Sequence, residues 1–395
     1  MEESNGRIWI GTNDNGINVY DPNRNVFTHI TKENNRGILS NNIKSFLRSH
    51  NNDQHIYVGS HGGGLIKIDK NTLKAVDIKL PDKDVYSLVY DLHNDIWIGT
   101  LNGLYKLNEK NDIVTEIDIS SLSSLQILYL TVDRNNRLWI GGDKSLACLS
   151  IEENRLIEFN DTFQQIKINC IVEDAKGNIW IGTNNGIYKH NGDKKFIRYA
   201  ENDGLSNNMV CGIVEDSLGF LWISTYYGIS RFDPEHATFR TYLLTDGLQF
   251  QQFNNYSFCK TQTGRLYFGG IDGIITFVPE RLKNNPFSPQ PIITELNVQN
   301  KIIAPSDNGV LEKNIINADK IVLRSDRATF SLRFAVPNYL SGKHNTFKYK
   351  LEGYDKDWII TSENRFASYS NLPHGKYIFK LLSANNEGKW SDKMT

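Results

Sequence analysis

The sequence predicts an all-β protein: a seven-bladed β-propeller over residues 1–280, a proline-rich linker over 281–291, and an Ig-like β-sandwich over 292–395. The first observation behind this is a repeat. A six-residue phrase recurs seven times: R-I-W-I-G-T at 7–12, H-I-Y-V-G-S at 55–60, D-I-W-I-G-T at 95–100, R-L-W-I-G-G at 137–142, N-I-W-I-G-T at 178–183, F-L-W-I-S-T at 220–225 and R-L-Y-F-G-G at 265–270. Its aromatic slot holds Trp9, Tyr57, Trp97, Trp139, Trp180, Trp222 and Tyr267, at steps of 48, 40, 42, 41, 42 and 45 residues. Five of the seven tryptophans of the chain sit in that slot, so the repeat decides where tryptophan is used. A period of roughly 40–50 residues built of short strands marks propeller blades, one repeat to each four-stranded blade. The second observation is turn chemistry at fixed offsets from the aromatic. The third is that the rhythm stops after Phe277 and a different strand pattern begins.

The clearest blade is 169–199. N-C-I-V-E-D reads as the innermost strand. D-A-K-G at 174–177 is a turn in which Asp caps its own backbone and Gly takes positive φ. N-I-W-I-G-T is the second strand, N-N-G a tight turn, I-Y-K-H the third strand and K-F-I-R-Y the outermost. Period-two alternation puts Trp180 on one face and the isoleucines on the other. Both faces of a blade pack against neighbours, so both can be apolar. The indole is expected to fill the wedge between blades, and Gly182 to keep side-chain bulk out where strands crowd.

The other repeats follow with local departures. A turn glycine recurs six or seven residues after most of the aromatics, at Gly16, Gly64, Gly103, Gly186, Gly228 and Gly273. The fourth repeat has D-K-S in that turn, with Ser145 in the glycine position. The phrases G-I-L-S-N-N-I at 37–43, D-G-L-S-N-N-M-V at 203–210 and D-G-L-Q-F-Q-Q-F at 246–253 read as crossings from one blade's outer strand to the next blade's inner strand. The first repeat begins at its second strand and the last ends after its third. Six inner strands therefore stand against seven second strands, and the chain reads as a piece of something longer. An open ring edge would be an exposed strand edge, which proteins normally avoid.

The segment 278–291, which ends in the linker, carries four of the ten prolines and reads as stiff. Beyond it, strand patterns fall at 292–298, 320–323, 329–336, 346–351, 367–372 and 376–384. Six or seven short strands at this spacing suggest a sandwich, and one more strand is expected past the C-terminus.

Composition narrows the function classes. Lys plus Arg is 44, Asp plus Glu is 45 and the net charge is −1, so the clustered basic charge of a nucleic-acid binder is missing. No apolar run reaches the roughly 18 residues that span a bilayer. The start, M-E-E-S-N-G, has neither the basic nor the apolar region of a signal peptide. Cys148, Cys170, Cys211 and Cys259 fall in strand-like segments of different repeats without a C-x-x-C pair, and read as buried free thiols. No metal site or cofactor is expected.

Both halves resemble one family. The repeats resemble two-component regulator propeller repeats, in the D-x-x-G turn, the L-W-I-G-T phrase with its following glycine, and D-G-L-S-N-N-M-V before an inner strand. The second domain resembles the family named for its three tyrosines, in Y-K-L-E-G-Y-D-K-D-W at 349–358, Y-S-N-L-P-H-G-K-Y at 369–377 and A-N-N-E-G-K-W-S at 384–391. Together they resemble the periplasmic sensor region of hybrid two-component systems of gut Bacteroides-type bacteria. That resemblance implies two tandem propellers, this sandwich, a membrane helix, a histidine kinase, and often a response regulator with a DNA-binding domain. It implies a periplasmic location within an inner-membrane receptor, a homodimer in the full receptor, and an oligosaccharide ligand that switches on glycan-utilisation genes. This sequence departs from the plan: it has one propeller, no membrane helix or kinase element, and an incomplete sandwich. The expectation is a chain that senses without catalysing, binds no nucleic acid, and meets the membrane only through a downstream helix it lacks.

Propeller ligands usually meet the face that carries the turns between second and third strands, together with the crossing loops. The turns hold Asn13, Asp14, His61, Asn102, Lys144, Asn184, Asn185, Tyr226, Tyr227 and Asp272; the crossings add Asn41, Asn42, Asn207, Asn208, Gln251 and Gln252. Amides and carboxylates bond sugar hydroxyls in pairs, and aromatic faces stack on pyranose rings. Asn and Asp also fill turns for backbone reasons alone. Tyr226 and Tyr227 stand out because the repeat places small polar residues there. His61 stands out for the glycines beside it, which would let a ligand approach closely, and Lys144 as a partner for an acidic sugar. The sandwich tyrosines read as core and corner residues. Two other classes compete. A protein-interaction propeller is one. The other is a lyase or hydrolase, since an antibiotic-degrading lyase has similar repeats. Such chemistry needs an acid and a base in one pocket. The nine histidines are scattered, with no H-x-H or H-E-x-x-H among them.

Overall fold

A computed structural model describes residues 1–50, 53–120, 122, 126–282, 290–306, 309–323, 329–337, 345–361, 364–385 and 389–395. The chain divides into two compact units, Met1–Leu282 and Lys283–Thr395. Most of the linker segment, 283–289, lies outside the described residues.

The first unit contains seven antiparallel sheets in chain order. Five have four strands; the first (Ile8–Gly11, Ile17–Asp21, Val26–Ile30) and the seventh (Phe253–Lys260, Leu266–Gly270, Gly273–Phe277) have three. The fifth blade runs Ile168–Glu173, Ile179–Thr183, Gly186–His190 and Phe196–Tyr199, close to the strands read from its sequence. The first blade's missing inner strand is partly supplied. The Trp9 amide donates to the Met1 carbonyl at 2.8 Å, and Glu2 bridges Ile8 in antiparallel fashion. The strand edge expected to be open is therefore covered by residues 1–3. The seventh blade reaches this segment through the Gln262 amide, which donates to Glu2 Oε2 at 2.7 Å.

Alternation along the repeated phrase builds the core. Trp180 packs forward with Leu221, Ile223 and Phe232 of the sixth blade, while Ile179 and Ile181 pack backward with Trp139 and Leu146 of the fourth. Trp9, Tyr57, Trp97, Trp139 and Trp222 repeat the forward contact, so buried clusters join each blade to the next from first to seventh. The glycine slot has a steric cause. A Cβ on Gly182 would lie 2.4 Å from Cys170 Sγ and 2.7 Å from Val210 Cγ1, the latter at the start of the next inner strand.

The D-x-x-G turn does more than reverse the chain. Asp91, Asp133, Asp174 and Asp216 each accept a hydrogen bond from the tryptophan Nε1 six residues on, at 2.8–2.9 Å. Glu3 takes the same role for Trp9 in the first blade. All five carboxylates are buried. The fourth turn position is left-handed in the first and in the third to seventh blades. It is Gly6, Gly177, Gly219 or Gly264 at φ of 78–86°, and Asn94 or Asn136 at 66° and 57°. Only residues that tolerate that region fit.

All four cysteines are free; Cys148, Cys170 and Cys211 are buried, and burial pushes the Cys148 and Cys211 thiols up to about 12. Cys259, expected to be buried, is half-exposed, on a seventh-blade inner strand where a surface depression shared with Met1, Glu2 and Gln262 reaches it.

The second unit is a sandwich of two sheets. One orders Lys301–Ile302, Ile292–Val298, Phe330–Ala335 and Phe366–Tyr369; the other orders Ile359–Thr361, Thr346–Glu352 and Ile378–Ala384. The strand expected at 320–323 does not form. Ile321 and Leu323 pack instead against the cluster around Leu296 and Leu332, so their apolar side chains are used without a ladder. Strands at 301–302 and 359–361 were not legible in the pattern.

Asp355 ties this unit together: its Oδ2 accepts from the Leu351 amide at 2.7 Å and from the Tyr369 hydroxyl at 2.8 Å. Burial, then the bond to Asp355, hold the Tyr369 phenol far above its ordinary pKa, so it donates throughout the physiological range. Asp355→Ala is expected to cost the sandwich about 1.5–3 kcal/mol, and Tyr369→Phe about 1 kcal/mol. Hydrogen exchange of the Thr346–Glu352 and Phe366–Tyr369 amides in the whole chain measures this, with propeller amides as control. Unchanged protection in Asp355→Ala would remove the tie.

Candidate functional site

Each inner strand opens with the same irregularity. Ile43 pairs with Ser60 and Ser45 with Gly59, leaving Lys44 as a bulged residue. Tyr86, Leu128, Asn169 and Cys211 are bulged in the same way in the third to sixth blades. The seventh blade skips further, from Phe253 to Phe258. A bulge turns its residue out of the ladder and re-aims the side chain. Repeated around the ring, it delivers Lys44, Tyr86, Leu128 and Asn254 to the central channel, while Asn169 and Cys211 stay buried between blades.

The mouth of that channel opens into a cavity of about 1060 Å³. Lys44, Tyr86, Leu128 and Asn254 reach it from the bulges. Gln126, Lys167 and Gln252 reach it from the positions just before inner strands, and Asn13, Leu101, Asp143 and Tyr226 from the turns between second and third strands. Asn255, Tyr256 and Tyr129 line it deeper in the channel. It continues into the seam where the seventh blade meets the first, between Ile8, Ile10 and Phe27 on one side and Tyr267 and Ile274 on the other.

Two features are unusual for a resting surface. Lys44 Nζ donates to Asn13 Oδ1 at 3.0 Å and lies 5.6 Å from the Tyr86 ring centroid. Burial holds its ammonium below the ordinary lysine pKa; Asp14 opposes this, and the charge of Lys167 adds to it. Tyr256 has φ of 64°, an uncommon conformation for an aromatic residue. Its ring stacks on Tyr129 at 6.4 Å between centroids. Its hydroxyl and Asn255 Oδ1 are buried with no hydrogen-bond partner among the described residues. Buried polar atoms are normally paired.

Of the sixteen residues named from the sequence, the cavity lining brings together Asn13, Tyr226 and Gln252. Tyr227, Lys144 and Asp272 are exposed but outside the lining. His61 Nδ1 sits 2.7 Å from Asp84 Oδ1, with its ring edge-on to Tyr86. Asn102 bonds Asp82 through both its backbone amide and its side chain. Asn184 Oδ1 accepts from the Lys167 amide, and Asn185 bonds Tyr188 and Arg198. The Gln251 carbonyl accepts from the Gly228 amide at 2.8 Å. These asparagines build the turns, as backbone chemistry predicts. Sequence reading missed Lys44, Tyr86, Asp143, Lys167, Asn255 and Tyr256. The available signal was a second register: Lys44, Tyr86, Leu128, Asn169, Cys211 and Asn254 recur at steps of 42, 42, 41, 42 and 43 residues.

Comparison with known proteins places these observations. The two component regulator propeller model matches residues 162–185 and 204–227, and the Y_Y_Y domain model matches 338–395. It is 29% identical to Histidine kinase P4 of Formosa agariphila, over 98% of this chain and 30% of that protein. A solved structure described as the extracellular domain of a hybrid two-component system, BT3049 of B. thetaiotaomicron, covers the whole chain at 26% identity with a TM-score of 0.77. The chain spans 54% of that structure. A virginiamycin B lyase from Staphylococcus aureus matches 70% of the chain at 14% identity with a TM-score of 0.56, a likeness of fold alone. The chain thus spans about a third of the curated relative and about half of the solved one. Among the described residues, no helix is long and apolar enough to cross a membrane.

Proposed function

We propose that this chain is the extracytoplasmic sensing portion of a hybrid two-component system, and that its propeller mouth binds an oligosaccharide. The observation that carries the ligand reading is the cavity at the channel mouth, whose lining combines the rings of Tyr86 and Tyr226 with the amides of Gln126, Gln252 and Asn254. Aromatic faces stack on the apolar side of a pyranose, and side-chain amides bond neighbouring hydroxyls. The likeness to a histidine kinase and to a hybrid system's extracellular domain supports the signalling role. In the parent receptor, ligand binding favours one arrangement of a protomer pair over another, and the sandwich relays it toward the kinase that controls glycan-utilisation genes. A ligand shifts such an equilibrium only by its differential affinity for the two states.

Thermal unfolding of the whole chain against defined oligosaccharides, with mass spectrometry of each sugar afterwards, tests the reading. A selective rise with the sugar intact is expected, and Tyr226→Ala is expected to weaken binding by roughly 1–2 kcal/mol through loss of stacking. A cleaved sugar would favour a lyase or hydrolase. No shift with any saccharide would move the ligand site off this propeller.

A further inference from the structure

We infer that the seam between the seventh and first blades is a slot for one strand of polypeptide. The strand lies antiparallel to Ile8–Gly11, in the inner-strand position of the first blade, and comes from the stretch that precedes Met1 in a longer parent chain.

The seam lacks a packing that the others have. The residue paired with the glycine slot of the repeat is Ile17, Leu65, Leu104, Leu146, Ile187 and Ile229 in the first six blades, and its exposure is at most 1%. In the seventh blade it is Ile274, at 40%. Tyr267 is half-buried, while the other six aromatics of the repeat are buried. The fifth-blade seam shows what is missing. There Ile187 packs with Leu205, Val210 and Ile213, which the sixth blade supplies from its crossing loop and inner strand. A Cβ on Gly182 would meet Val210 and Ile213, and one on Gly141 would meet Ile168 and Ile171, the same pair one blade earlier. The three atoms nearest a Cβ on Gly269 all belong to Ser257 of its own blade. An inner strand with apolar residues three apart is therefore what fills such a seam, and the first blade offers none among the described residues.

The backbone is open at the same place. Residues 1–3 pair with the first blade's second strand as far as Trp9. Ile10 and Gly11 beyond it are half-exposed, whereas their counterparts Val58 and Gly59, or Ile181 and Gly182, are buried. In the fifth, sixth and seventh blades the amide just past the second strand, of Asn184, Tyr226 or Ile271, donates to a carbonyl at the entry to that blade's inner strand, at 3.0–3.2 Å. Asn13 holds this place in the first blade and meets no such carbonyl among the described residues. An open strand edge of this kind accepts an added strand.

Antiparallel pairing fixes direction and register. Met1 pairs with Trp9 as Val214 pairs with Trp222. The places of Ile213 and Val210 then fall one and four residues ahead of Met1, opposite Ile10–Thr12. The chain spans 54% of the solved extracellular domain, so that relative has polypeptide to spare for such a strand. Tyr86, Gln126 and Tyr226 reach the cavity from other blades, so the saccharide reading neither needs this strand nor excludes it.

Extending the whole chain tests the slot. A copy of residues 203–213, D-G-L-S-N-N-M-V-C-G-I, fused directly ahead of Met1 sets its apolar residues in register. It is expected to raise the thermal midpoint of the propeller by about 3–6 °C and to slow exchange of the Gly11 and Asn13 amides by about tenfold or more. A control extension with Val210→Asp and Ile213→Asp in the copied segment is expected to do neither. The same segment as a free peptide is expected to protect these amides only near roughly millimolar concentration, which a short covalent link supplies by itself. Unchanged exchange in the fused chain, or equal effects from the control, overturns the slot. Protection by the free peptide at roughly micromolar concentration keeps the slot and overturns its source ahead of Met1. Dimerisation of the unextended chain in sedimentation, abolished by Ile274→Asp, overturns the proposal too, because a second copy then covers the seam.

Discussion

Trp180→Ala is expected to destabilise the propeller by about 3–5 kcal/mol, the usual cost of deleting a fully buried large aromatic. The side chain has 0% exposure and fills the wedge between the fifth and sixth blades, against Ile187, Leu205, Val210, Leu221 and Phe232. The wall on either side is a hydrogen-bonded sheet, so it can close on the vacancy only by moving a blade. Urea unfolding should show a lowered midpoint at unchanged slope. Trp358→Ala is the control, because Trp358 lies outside the repeat and is 36% exposed. A loss below about 1 kcal/mol at Trp180 would mean that the blades rotate to fill the gap.

The second large effect is expected at the partner of that indole. The Asp174 carboxylate accepts from Trp180 Nε1 at 2.8 Å, from the Lys176 and Asn178 amides at 3.0 and 2.8 Å, and from Asn178 Nδ2 at 2.8 Å. Asp174→Ala strands a buried indole N–H and two turn amides, each worth about 1–3 kcal/mol when unpaired, so about 3–5 kcal/mol is expected. Burial works against the charged form, but the bonds from Trp180 and Asn178 outweigh it, so the Asp174 pKa lies below its ordinary 3.8. The sign follows. A depressed carboxylate contributes stability that is present above about pH 4 and is lost as pH falls through the folded value. The gap between the parent chain and Asp174→Asn should therefore narrow on acidification. A gap constant from neutral pH to about pH 3 would show that the charge contributes nothing. Asp174→Ala and Trp180→Phe share one bond, so their costs should fall short of additivity by about 0.5–3 kcal/mol.

Five carboxylate–indole bonds explain why the repeat was so legible. The Asp, the left-handed Gly or Asn three residues later and the tryptophan at the sixth position form one local unit, closed within seven residues of chain. Local units write themselves into sequence, because no distant residue has to be known. The same applies to Gly182, which must be small wherever the next inner strand begins close by. Even so, Glu3 and Gly6 went unread as the first such unit, since Glu stands where the other repeats have Asp. In the second unit, Ile321 and Leu323 read as a strand because their apolar pattern suits one, but pattern alone does not supply a neighbouring strand edge.

The sequence by itself determined the blade count, the strand order within blades, the wedge tryptophans and the change of fold after the propeller. Each follows from periodicity or from contacts inside one repeat. Only the tertiary structure decided which side chains share the mouth. Lys44, Tyr86, Asp143, Lys167, Tyr226 and Gln252 come from six blades and are brought together by ring closure. Whether a bulged residue reaches the cavity or turns aside, as Asn169 does in donating to the Val210 carbonyl, depends on the neighbouring blade. A turn asparagine looks the same in sequence whether it faces a ligand or caps its own backbone. What separates the two is the partner it meets in space.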